Sequence, residues 1–83
     1  MLNTIVVARP RGTTANYDEI YRLEPKGRAL DLRVGDLVPL LLREGIREGD
    51  RVYFAGQWHR LNAKKEKLIR VKPTRELKFL QPS

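Results

Sequence analysis

The sequence predicts a small, mainly β domain of five strands, with one short helix between the third and fourth. Three observations predict it. Apolar and polar residues alternate over most segments, the period of a strand with one buried face, and Pro and Gly punctuate those segments. The alternation gives way once, at LVPLLL, where Asp36 precedes and Gly45 follows the apolar run. The chain is 83 residues long, without repeat, low-complexity tract or linker, so residues 1–83 read as a single domain.

The β-branched run at residues 4–9 is a first strand, ended by Pro10, Arg11 and Gly12. Residues 17–24 form a second, with Tyr17, Glu19, Tyr21 and Leu23 on one side. Residues 28–34 form a third, in which Leu30, Leu32 and Val34 alternate with Ala29, Asp31 and Arg33. Asp36 is then a natural N-cap, its carboxylate accepting from an amide of the first helical turn, where Pro39 is tolerated. Gly45 suits a left-handed C-cap with Ile46 packing back. Residues 51–61 make a long fourth strand, bulged or bent at Gly56. Residues 62–66 are a turn and 67–72 a fifth strand with Ile69 and Val71 inward. Pro73 and Thr74 interrupt it, and residues 76–80 resume it with Leu77 and Phe79 inward.

Composition excludes several chemistries. There are no cysteines and one histidine, His59, so disulfides, thiolate metal sites and cysteine nucleophiles are ruled out. No metal site and no cofactor are expected. Asp18 and Glu19 are adjacent on a strand and face opposite ways, which is wrong for paired acid–base work. An enzyme is the least supported reading. No apolar stretch reaches the ~18–20 residues of a membrane span, and no signal peptide is visible, so a cytoplasmic protein without a membrane partner is expected. Scarce Asn and Gln with frequent Arg and Glu lean toward a thermophilic source.

Charge is the strongest functional signal. The net charge is +7, and between Arg60 and Arg75 seven basic residues meet one acid, Glu66, so six of those seven charges sit there. A field localised in this way attracts nucleic acid or another anionic surface. The bland alternative is that lysines simply solvate a turn.

Five strands with a helix between the third and fourth is the order of the OB-fold, a small, partly open Greek-key barrel. Residues 36–60, DLVPLLLREGIREGDRVYFAGQWHR, resemble the segment of bacterial single-stranded DNA-binding proteins in which a helix ends in Gly-Asp. An alternating Val strand, a Gly and a basic stretch follow there; Gly49, Asp50, Val52 and Gly56 match. NTIVVARPRG is similar to that family's first strand, and VKPTRELKFLQP to its last. The long acidic tail of that family is missing, and the first connections are short. Both features look more like the minimal primosome accessory OB-fold proteins.

The resemblance implies a non-catalytic module for single-stranded DNA. Its strand 2–3 face and the loops joining strands 1–2 and 4–5 would enclose the ligand. Phosphate contacts are then expected from Arg60, Lys64, Lys65, Lys67, Arg70 and Lys72, with Arg9, Arg11, Arg28 and Arg33 as secondary ones. Stacking is expected from Trp58, Tyr21 and Tyr53, with Tyr17 a further choice. Trp58 shares parity with Val52 and Phe54, so a core role stays open for it. Phe54 and Phe79 read as core, and His59 as a surface residue. An RNA-binding OB module, or an adaptor subunit docking an acidic protein surface, fits the same charge. A homo-oligomer is expected, because a minimal barrel leaves edges to cover.

Overall fold

A computed structural model describes residues 4–12, 16–24 and 34–82, with side chains in the first helix from Leu37 onward. The elements are β1 (Ile5–Pro10), β2 (Tyr17–Leu23), α1 (Val34–Arg43), β3 (Arg51–Phe54), β4 (Gln57–Asn62), β5 (Lys67–Arg70) and α2 (Arg75–Leu80). The strands form one five-stranded antiparallel sheet in the order β2-β1-β3-β4-β5. The protein is therefore mainly β. The third strand expected at residues 28–34 lies outside the described residues, except for Val34, which opens α1.

β1 dictates the layering. Ile5, Val6, Val7 and Ala8 are all fully buried, so both faces of this strand need cover. Ile5 and Val7 face α1 and join Leu37, Val38, Leu41, Ile46, Val52 and Leu61 in one cluster. Val6 and Ala8 face the other way and pack with Tyr53, Trp58 and Leu77 under α2. Burying a Val, Leu or Ile side chain contributes about 1.5–3 kcal/mol, so each cluster is a substantial stabilising unit. The β1–β2 pairing slips between Val7 and Ala8, a bulge that leaves Ile20 without a partner across the ladder.

α1 begins a turn earlier than expected. Asp36 thus lies inside the helix rather than at its N-cap, and Pro39 is interior. Pro39 is exposed, so its ring avoids the core, although it still removes one intrahelical hydrogen bond. The C-terminus follows its sequence signal. Gly45 has φ +85° and donates to the Leu42 carbonyl at 3.2 Å, while Ile46 donates to that of Leu41 at 3.0 Å. Those two bonds form a Schellman cap, and Ile46 packs in the cluster that holds Leu41.

Two further expectations are corrected. Residues 51–61 are not one strand but two, joined at Ala55 and Gly56, whose φ values of 55° and 79° are both positive. That is the signature of a two-residue type I′ turn, and Tyr53 consequently pairs with Trp58. Residues 76–80 are helix, not strand. Thr74 caps α2 by accepting from the Leu77 amide at 3.3 Å, and Glu76 sits favourably in the first turn.

One polar lock ties β1 to the loop after α1. Asp50 is 2% exposed and receives Arg9 Nε at 3.0 Å and Arg9 Nη2 at 2.9 Å, a bidentate pair. The Arg47 amide also donates to Asp50 Oδ2 at 2.9 Å, and Arg9 Nη2 reaches the Gly45 carbonyl at 3.3 Å. An Asp50→Ala variant is expected to lose about 3 kcal/mol, because it strands the guanidinium and the Arg47 amide together. Urea unfolding at unchanged m-value measures the loss. A change below about 1 kcal/mol would show that solvent replaces the carboxylate.

Candidate nucleic-acid interface

The β4–β5 hairpin is built from its turn outward. Asn62 Oδ1 accepts from the Lys65 amide at 3.2 Å, closing the turn. Glu66 takes φ 50°, a left-handed conformation that suits Gly better than a branched chain of atoms beyond Cβ. Lys64, Lys65 and Lys67 are exposed around this tip.

The register then sorts the remaining side chains by face. Arg51 lies opposite Arg60, and Arg60 opposite Ile69, so these three form a row on one face of β3, β4 and β5. Like charges directly opposite are destabilising when nothing compensates them. Arg51 is partly compensated, since its guanidinium donates to the Gly49 carbonyl. Arg60 and Ile69 are exposed. On the opposite face His59 is paired with Arg70. The structure thus places Arg60 and Lys67 on one side of the hairpin, Arg70 on the other, and Lys72 just beyond β5.

The acids that form ion pairs lie elsewhere. Arg9 pairs with Asp50, Arg11 with Asp18, and Arg22 with Glu19 and Glu24. The hydrogen bond from Arg11 holds the Asp18 carboxyl below its ordinary range. Arg9 is therefore held in the fold by Asp50, and Arg11 is paired with Asp18 within the β1–β2 hairpin. Arg28 and Arg33 lie outside the described residues. Among the described residues, Arg60, Lys64, Lys65, Lys67, Arg70 and Lys72 have no carboxylate within ion-pair distance.

The aromatic expectations need correction. Trp58 is 2% exposed and Tyr53 3% exposed, and their rings meet edge to face at 5.3 Å between centroids. Neither offers an open ring face, because α2 covers the side of the sheet on which both lie. Tyr21 is half-buried against the α1 cluster and Tyr17 against the α2 cluster. Phe54 packs on the α1 cluster, in line with its expected core role. Phe79, read as inward, is 76% exposed on α2, beside Arg75 and Lys78. Arg51 and Phe79 were missed for one reason: both depend on turns and helix phase that simple alternation hides.

His59 is half-buried, and its Nδ1 lies 3.3 Å from the Val52 carbonyl, so the neutral ring donates there. Burial pushes its pKa below the ordinary value; backbone hydrogen bonds at Val52 and Gln57 oppose this, and the Arg70 charge adds to it. The unfolded chain takes up a proton below pH ~6.5 that the folded ring resists. Stability is therefore expected to fall as pH drops from 7.5 through the depressed folded value, and His59→Asn to flatten that fall. Urea midpoints at pH 7.5 and 5.5 for both chains check it; equal losses would assign the effect to other groups.

Among the described residues, no helix is long and apolar enough to cross a membrane. Compared with protein-family models, curated proteins and solved structures, the chain finds no match.

Proposed function

We propose that this protein is a non-catalytic module that binds single-stranded DNA along its β4–β5 hairpin. The observation that carries this reading is the separation of its charges. Among the described residues, three arginines of the β1–β2 region are matched by acids, whereas six cations of the hairpin and its exit have no carboxylate partner. Unmatched cations crowded on one hairpin raise the free energy of the empty protein and release it when phosphates arrive. The preference for DNA and for an OB-type barrel rests on the sequence resemblance. A five-stranded antiparallel sheet, with β1 between its second strand and the strand after the helix, is compatible with it.

The mechanism is electrostatic first. Lys64, Lys65, Lys67 and Arg60 would neutralise phosphates, each releasing counterions from the strand. Ile69 beside Arg60 supplies an exposed apolar contact, and Phe79 on α2 is the aromatic with an open ring. Stacking therefore contributes less than in single-strand binders that carry several aromatic platforms.

Anisotropy of a labelled 30-nucleotide dT strand, with matched duplex and RNA as competitors, tests the reading. Four phosphate contacts give a log–log salt slope of about −3, and Lys64→Ala/Lys65→Ala/Lys67→Ala should reduce it by about 2. Absence of binding to all three polymers at low salt would overturn the proposal. Capture of an acidic polypeptide instead would identify a protein-docking surface. Glu66→Gly removes the only acid between Arg60 and Arg75 and relieves the left-handed backbone. It is expected to tighten strand binding and to raise stability by about 0.5–1 kcal/mol, read by the same anisotropy and by urea unfolding.

A further inference from the structure

A cavity of ≈ 490 Å³ opens where the β3–β4 turn meets the chain leaving β5. That volume falls within the roughly 300–1,000 Å³ of small-molecule sites. Gln57 and Trp58 of β4, Arg70 to Lys72 of the chain leaving β5, and Gln81 after α2 line it. The two strand segments lie side by side, because the Val71 amide donates to the Trp58 carbonyl at 3.1 Å. The side chains of Gln57, Arg70, Lys72 and Gln81 are all exposed, and neither cation meets a carboxylate among the described residues.

We propose that this cavity takes a single nucleotide unit, its phosphate held by Arg70 and Lys72 and its base edge by the amides of Gln57 and Gln81. The lining matches that ligand in kind. Two cations line it, as a phosphate monoester or diester needs, and two side-chain amides supply both donors and acceptors for a base edge. An unspent donor adds to the case: the Trp58 indole N–H is buried without a hydrogen-bond partner, and Trp58 lines the cavity. Buried donors of this kind are uncommon and costly, and one behind a pocket is relieved if an occupant draws a flanking amide oxygen onto it.

This inference rests on the reading of the hairpin as a strand-binding track and gives that track an end. The cavity lies at the opposite end of the β4–β5 pair from the lysine turn, about 17 Å away along β4. A strand held by Lys64 and Lys65 at one end would be anchored by one nucleotide at the other, which fixes its direction on the protein.

Trp58 is the only tryptophan, so a ¹H–¹⁵N spectrum shows one indole N–H resonance. The experiment titrates this signal with dTMP, thymidine and inorganic phosphate, and measures dT-strand binding in parallel. The expected result is a shift of the indole signal by dTMP, with thymidine and phosphate each binding at least about tenfold more weakly. Gln57→Ala/Gln81→Ala should weaken dTMP about tenfold, whereas Lys64→Ala/Lys65→Ala should leave dTMP unchanged and weaken the strand. No response to ~10 mM dTMP, phosphate binding as tightly as dTMP, or an unaffected glutamine variant would overturn the cavity assignment. If the strand binds while dTMP fails, the cavity is wrong and the track stands. If dTMP behaves as stated while the strand fails, the track is wrong and the cavity is a mononucleotide site.

Discussion

The rest of the structure depends on the double-sided burial of β1. A strand whose residues 5–8 are all sealed from solvent cannot lie on the surface of a one-sided sheet. It requires α1 against Ile5 and Val7 and a second element against Val6 and Ala8. That second element is α2, only six residues long, which reaches the sheet chiefly through Leu77. The Arg9–Asp50 pair performs a related task at the end of β1, fastening it to the turn from which β3 departs. Central position, two covers and a polar lock together set where the sheet can be thick and where it must thin out.

It thins out at β4 and β5. α1 reaches Leu61 and Leu68 on one face, but on the other face Arg60, Ile69 and Lys67 are exposed, with neither α1 nor α2 over them. An uncovered sheet face must be polar or bind something, and this one is cationic with a single apolar residue set into it. The same covers explain the aromatics. Tyr53 and Trp58 go to the part of the sheet that α2 protects, so the large rings stabilise the fold rather than meet solvent. The exposed groups here are then the long basic side chains and the two glutamines at the cavity.

Much of this was legible in the sequence, and the failures share a cause. The strand at β1, the Gly45 cap, the basic turn at 62–66 and the core role of Phe54 follow from local rules whose physics is local. The β3–β4 turn was hidden because Ala55 occupies a position where Asn or Asp normally announces a type I′ turn. Missing that turn kept residue parity running through Gly56 and assigned Trp58 to the face of Val52. In the structure it shares a face with Tyr53 instead. The alternation of Leu77 and Phe79 likewise outweighed Thr74 and Glu76, a cap and first-turn acid that favour helix. Once α2 is read as a strand, nothing remains to cover Tyr53, and its burial cannot be anticipated. The location of the cations was readable; their division between two faces was not, since it depends on register.

The partition of charge also gives the molecule an orientation before it touches anything. Among the described residues, compensated ion pairs sit around β1 and β2 and cations without carboxylate partners around β4 and β5, so the charge of these residues is unevenly distributed, within a net charge of +7 for the chain. In the field of a polyanion such a body experiences torque as well as attraction, and it arrives hairpin first. Most protein encounters are slowed because random collisions present the wrong surface. For a polyanionic ligand of the proposed kind, part of that orientational search would be completed during the approach, a gain in how often an encounter succeeds rather than in how long the complex lasts.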